Sequence, residues 1–356
     1  MGVRFLFFLM LPISLAAQNR KTSSNPFNLP LKIYDLNAEV LAPGSVRLPF
    51  SSIKVIDSRF DTSAIGFKPS SWGNSFKRIG FKGGIAASIE RYYNEYYAGA
   101  FDSGNVTLLI VLKRYWFSEF EYELNKQPGN NLHEQIFRKA YCKWEYYLGR
   151  DGMYLPVKRI DTVIQLDHDL RKYIQEDFEE NKQAFVKFTL KFLVEMLDFD
   201  KGIRALDQQP KKTLDEIHAY NASRFNIPVL KDSNLAVGVF LNFGEFKNNK
   251  PGVSHFRENK MKYNLGSEER YIEDSGGKQI NPYWGYFDGE QIRIGKFGNN
   301  AMYRGGNSYF FFVKYISYYN TSTSGNVQGY PSTFGYRMQK QRMIPFQVDL
   351  ETGEIY

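Results

Sequence analysis

The apolar positions between Ile53 and Glu119 change period twice. Ile53-Lys54-Val55-Ile56 is a short apolar run ended by the polar cluster Asp57-Ser58-Arg59-Phe60-Asp61. Ile85, Ile89, Tyr92, Tyr93, Tyr96, Tyr97 and Ala100 then recur at helical spacing, with Ser88, Arg91, Asn94 and Glu95 on the opposite face. Such a stripe belongs to an amphipathic helix laid on a core. Val106-Thr107-Leu108-Leu109-Ile110-Val111-Leu112 is apolar at nearly every position and predicts a strand buried on both faces. The unit reads strand, helix, strand, the centre of an α/β layer. Thr62 to Lys82 reads as one long connecting loop.

Around this unit, Leu31 to Leu41 predicts an edge strand, and Tyr115 to Glu123 extends the apolar strand. Ile136 to Leu148 and Tyr154 to Leu166 flank Gly149-Arg150-Asp151-Gly152, a hairpin signal. A long helix capped by Asp167 or Asp169 is expected next, with Leu170, Ile174, Phe178, Phe185, Phe188, Phe192 and Met196 as its stripe and Lys201-Gly202 as its end. Thr213-Leu214-Asp215-Glu216 spells a capping box. Beyond Pro228 helical spacing gives way to short aromatic runs: Leu235 to Phe243, Tyr283 to Phe287, Gln291 to Ile294, Tyr309 to Tyr319 and Ile344 to Val348. Asp288-Gly289 and Glu351-Thr352-Gly353 mark turns. The expected fold class is α+β: an α/β domain over 31–225 and a mainly antiparallel β domain over 226–356.

The first residues carry a different signal. Arg4 supplies a positive start, Phe5 to Leu15 a short apolar core, and Ser14-Leu15-Ala16-Ala17 small residues for cleavage. The pattern is that of a secretory signal over 1–17, followed by a flexible leader over 18–30. No later run reaches the roughly 18 apolar residues of a membrane-spanning helix. The expected location is the periplasm or the cell surface. The one cysteine, Cys142, sits among Tyr141, Trp144 and Tyr146 and reads as a buried hydrophobe. A lone cysteine forms no internal disulfide, which favours bacterial export. The net charge of +8 is spread among acids, and export removes nucleic acid as a partner.

Chemistry is sparse. His133, His168, His218 and His255 show no metal-ligand spacing, Gly80 to Gly84 lacks the lysine of a phosphate loop, and no Gly-x-Ser-x-Gly elbow occurs. No catalytic residue, metal or cofactor is assigned. Asp57, Arg59 and Asp61, at the carboxyl end of a sheet strand, are the polar ligand-binding candidates. Trp284 and Tyr286 are the aromatic ones, since such rings stack on sugars and peptides. The expected function is a non-enzymatic envelope or surface protein that binds an envelope protein or a glycan. The alternative is an extracellular hydrolase of a glycan or another polymer, with Asp57 and Asp61 as its acid pair.

Two resemblances bear on this reading. The cluster Asp57 to Asp61, followed by Ile65-Gly66, a helix and a strand, resembles envelope lipoproteins auxiliary to ABC-type transporters. That likeness implies an α/β domain without catalytic activity. The chain departs from those proteins in having no cysteine to carry a lipid at the cleavage point. The segments Gly238-Val239-Phe240-Leu241-Asn242-Phe243-Gly244-Glu245-Phe246-Lys247-Asn248-Asn249-Lys250-Pro251 and Trp284-Gly285-Tyr286-Phe287-Asp288-Gly289 resemble uncharacterised exported proteins of Bacteroidota-type bacteria. That second likeness implies export and brings no functional residue with it.

Overall fold

A computed structural model describes residues 30–356 apart from 43, 45, 70–75, 125–132, 170–177, 207, 208, 233, 263–267, 328 and 329. The signal and most of the leader expected at the N-terminus lie outside the described residues. The chain is a mixed α and β structure dominated by strands, 42% against 22% helix, which agrees with the α+β expectation at that coarse level.

The first sheet is mixed. β1 (Leu31–Tyr34), β2 (Ser52–Asp57), β3 (Gly66–Pro69) and β4 (Phe76–Phe81) precede helix α1 (Ile85–Tyr96). The long strands β5 (Thr107–Leu124), β6 (His133–Arg150) and β7 (Met153–Asp169) follow, then α2 (Phe178–Glu195), α3 (Phe199–Ala205), the two-residue β8 (Lys212–Thr213) and α4 (Leu214–Ser223). The spatial order is β1-β4-β3-β5-β6-β7-β8, with β2 also on β5. β1 is the edge strand expected there. β2 and β5 run parallel and adjacent, joined through α1, so the strand-helix-strand unit stands. Thr62 to Lys82 is not a single loop, however. It holds β3 and β4, whose few residues are too short to show a period of two.

Both faces of this sheet are covered. Leu108, Ile110 and Leu112 pack beneath α1 and α2, while Leu109 and Val111 pack against Ile217 of α4. The register of β5 against β6 slips between Leu112 and Arg114. After that bulge Tyr115 and Phe117 take over the inner face, as the extra residue requires. Helix α1 buries Ile85, Ile89, Tyr92, Tyr93 and Tyr96, as its stripe predicts, and also Ser88, expected on the opposite face, whose hydroxyl donates to Lys82 O. Two residues of its polar side have a task the periodicity does not reveal. Asn94 Oδ1 accepts from Ile53 N at 3.0 Å, and Glu90 Oε2 accepts from Val55 N at 2.9 Å. These bonds satisfy β2 on the edge that β5 leaves open.

The β6–β7 hairpin turns at Asp151 and Gly152, both at positive φ, as a tight turn demands. The expected helix start at Asp167 or Asp169 is overturned: both lie in β7, paired with Phe137 and Gln135 of β6. Alternating polar residues there suit a strand better than a cap. The expected stripe is corrected too. Phe185 is buried, but Phe188, Phe192 and Met196 are exposed, and the inward face is Phe185, Val186, Thr189, Leu190, Leu193 and Val194. Leu170 and Ile174 lie outside the described residues. The helix stops at Glu195, and Lys201-Gly202 falls inside α3 instead of ending α2. Thr213 and Glu216 form the capping box of α4 as predicted.

Beyond it come α5 (Pro228–Lys231), β9 (Gly238–Phe240), α6 (Phe243–Lys247), β10 (Phe256–Lys262), β11 (Glu268–Asp274), β12 (Gly285–Phe287), β13 (Ile292–Ile294), α7 (Lys296–Asn299), β14 (Asn300–Gly305), β15 (Ser308–Val327) and β16 (Tyr330–Val348). The order β16-β15-β14-β13-β12-β9 makes a second, antiparallel sheet, and β10 pairs with β11. The three short helices among the described residues add to the mainly antiparallel β expectation; each is too brief to display helical spacing. The two sheets meet at an aromatic cluster of Phe67, Phe76, Trp116, Phe310 and Tyr356.

Candidate functional site

Where β2 ends, the chain leaves the edge of β5, and it rejoins that edge as β3. Gly66 pairs with Phe117 so closely that a Cβ would lie 2.2 Å from the Phe117 carbonyl oxygen, so only glycine fits. The excursion between them, residues 58–65, faces the bulge of β5. It carries Arg59 and Asp61.

The excursion folds inward. Arg59 is 4% exposed. Its Nε and Nη2 each donate to Asp57 at 2.8 Å in a bidentate pair, and its Nη1 donates to the carbonyls of Ala64 and Tyr115. Asp61 is buried and accepts from Ser63 N and Ser63 Oγ. Burial pushes its carboxyl up, against the lowering pull of the Ser63 bonds and the Arg59 charge. Asp57 and Arg59 are thus brought together as a bonded pair, while Asp61 beside them is bonded to Ser63.

Across from them, the bulge presents Lys113 and Arg114 to the same side. Lys113 Nζ donates to Glu145 at 2.6 Å, with Tyr147 donating to the other oxygen of that carboxylate. Arg114 binds Asp349 at 3.0 Å and also Asp161, and its guanidinium lies over the Tyr356 ring. Glu351 bridges Lys143 of β6 and Arg224 just after α4. Burial works to raise the Glu351 carboxyl, but Arg224 and Lys143 outweigh it and hold it at about 2. Lys113, Arg114 and Lys143 alternate poorly with their neighbours as sequence. Only the bulge and the residues 349–356 folding back over β6 make a site of them.

The space enclosed by Arg59, Asp61, Arg114, Arg224, Asp349 and Tyr356 is about 20 Å³, room for a single water. Behind Arg114 and Tyr356 lies a groove of about 960 Å³. Asp161, Thr162 and Val163 of β7 form one wall and Thr352 to Ile355 the other, with Lys296 at the rim. A second hollow of about 430 Å³ borders Pro156 to Arg159 and Tyr220. The groove has the size of a ligand site; the enclosed space does not.

Trp284 and Tyr286 stand apart from both. Trp284 stacks on Phe246 at 4.2 Å in the core of the second sheet. Tyr286 is fully buried in a separate cluster and donates to Glu258 at 2.9 Å. Cys142 is also fully buried, and burial pushes its thiol far up. The groove residues Tyr141, Val163 and Lys296 were not singled out from sequence, and no local motif marks them.

The fold and this geometry define an α+β protein of two large sheets and a β10–β11 ribbon, with a groove beside a charged seam. No protein-family model, curated protein or solved structure matches the chain.

Proposed function

We propose that this is an exported, non-enzymatic protein of the bacterial envelope or cell surface that binds an envelope protein or a glycan in the groove between β7 and residues 352–356. The carrying observation is the contrast in space. Asp57 is held in a bidentate pair by Arg59, and the space that Asp61 lines has room for one water, whereas the neighbouring groove holds about 960 Å³. A glycosidase needs its two carboxyl groups on either side of a sugar, and no sugar ring enters a space of about 20 Å³. The signal-like residues 4–17 support export, and we place a domain boundary near residue 225, between the segments that build the two sheets. The test is titration of the full mature chain with cell-wall and capsular glycans, with product analysis alongside. Saturable binding without product, weakened by Val163→Arg in the groove, is the expected outcome. Product formation that disappears in Asp57→Asn or Asp61→Asn would overturn the reading in favour of a hydrolase.

A further inference from the structure

The outer edge of β7 is left open. β8 pairs only with Met153 and Tyr154, and among the described strands no other lies on that side of β7. From Lys158 to Gln165 only Ile160 and Ile164 are buried; the remainder is exposed or partly so. An open edge presents alternate N–H and C=O groups outward and is a template for another strand.

We infer that the β7 edge from Pro156 to Val163 receives an extended acidic segment of a partner protein, added as a further strand. The inference rests on the binding reading above and names the partner's form.

Two further observations select this occupant. First, the two hollows lie in series along the segment. Pro156, Lys158 and Arg159 border one, while Asp161, Thr162 and Val163 border the other. An added strand points alternate side chains to one face, and pockets spaced along an edge are how such binding acquires selectivity.

Second, the cations nearest the edge are left without carboxylate partners among the described residues. Glu145 is held by Lys113, while Arg114 is shared among Asp349, Asp161 and Glu354, with Lys143 also near Asp161. Lys158, Arg159 and Lys296 form no ion pair among the described residues. Two free cations on the edge itself, Lys158 and Arg159, with Lys296 of α7 lining the groove beside it, call for carboxylates. A second copy of β7 laid against the first would bring the same surplus cations, so the charge disfavours self-pairing.

The test uses the full mature chain and a synthetic octapeptide alternating Glu with Val or Thr. Two controls are the same peptide N-methylated at alternate residues and a Lys-for-Glu version. Binding is read by fluorescence anisotropy at two salt concentrations, with amide exchange over β7 and the mass of the free protein in solution. The acidic peptide is expected to bind and to protect β7 amides. N-methylation on the pairing edge should abolish binding, and Lys158→Glu with Arg159→Glu should weaken it about tenfold, more at low salt. Equal binding of the methylated peptide, or no protection of β7, would overturn the inference. So would a free protein dimeric through this edge. Saturable glycan binding in the groove with no peptide binding would sink the inference and leave the proposed function standing. Failure of both ligands would sink both.

Discussion

At the scale of single residues, the charged groups near the bulge act through what they are bonded to. Arg59 is enclosed, and among the described residues Asp57 is the carboxylate that pairs with it. Removing one member of a buried pair leaves the other charge unmatched, at a cost of about 3 kcal/mol or more. Asp57→Asn is therefore expected to lower the urea midpoint clearly while leaving glycan binding per folded molecule intact. The same logic makes Lys113→Met harmful on its own, because Glu145 then loses its cation. Cys142 offers a simpler check. Its thiol is fully buried and its ionised form suppressed, so an aromatic disulfide reagent should leave it untouched in the native protein and react in urea.

At the scale of elements, the fold is held by polar groups that answer specific backbone vacancies. The α4 capping box closes two such vacancies, with Glu216 N donating to Thr213 Oγ1 at 3.1 Å and Thr213 N donating to Glu216 Oε2 at 2.7 Å. Thr213→Ala is expected to cost about 1 kcal/mol in chemical denaturation. Asn94 has a wider reach, since it bonds both the N–H and the carbonyl of Ile53 across the space between α1 and β2. Asn94→Ala should cost more than the cap, about 2 kcal/mol, because two main-chain groups lose their partner in a part-buried place. On the other side, Tyr93 donates to Leu190 O and Tyr146 to Leu193 O, so α2 is oriented by tyrosine hydroxyls as well as by apolar packing.

At the scale of the whole molecule, the two sheets share an aromatic cluster and a seam of ion pairs. Glu351 is central to that seam, joining residues after β16 to β6 and to the end of α4. Its carboxyl is held at about 2 in the fold, against the 4.5 of an ordinary glutamate. A depressed carboxylate stabilises above the unfolded value and loses that contribution as pH falls through the folded one. Stability is thus expected to decline from about pH 4.5 towards pH 2, and Glu351→Gln should flatten that decline in a pH series of thermal melts. Asp61 has the opposite sign. Its raised carboxyl stabilises the fold most at low pH and loses that contribution as pH rises through its folded value, so Asp61→Asn should steepen the acid decline.

Local pattern determined much of this protein by itself. The strand at 52–57, the helix at 85–96, the buried strand from 107, the hairpin around Gly152 and the capping box at Thr213 were legible because each signal lies within about a dozen residues. The errors have one physical source. β3, β4 and the short helices are too brief to show a period, and α2 carries apolar residues on two faces, so spacing alone chose Phe188, Phe192 and Met196 over the true inner face. Asp57, Arg59 and Asp61 were recognisable as a cluster, but their inward turn depends on β5 lying alongside. The groove was not legible at all. Tyr141, Asp161, Lys296 and Glu354 come from segments far apart in the chain, and one extra residue at Lys113 decides which side of β5 faces them. Only the folded chain sets that register, because a bulge reverses every side chain after it without changing the composition of the strand.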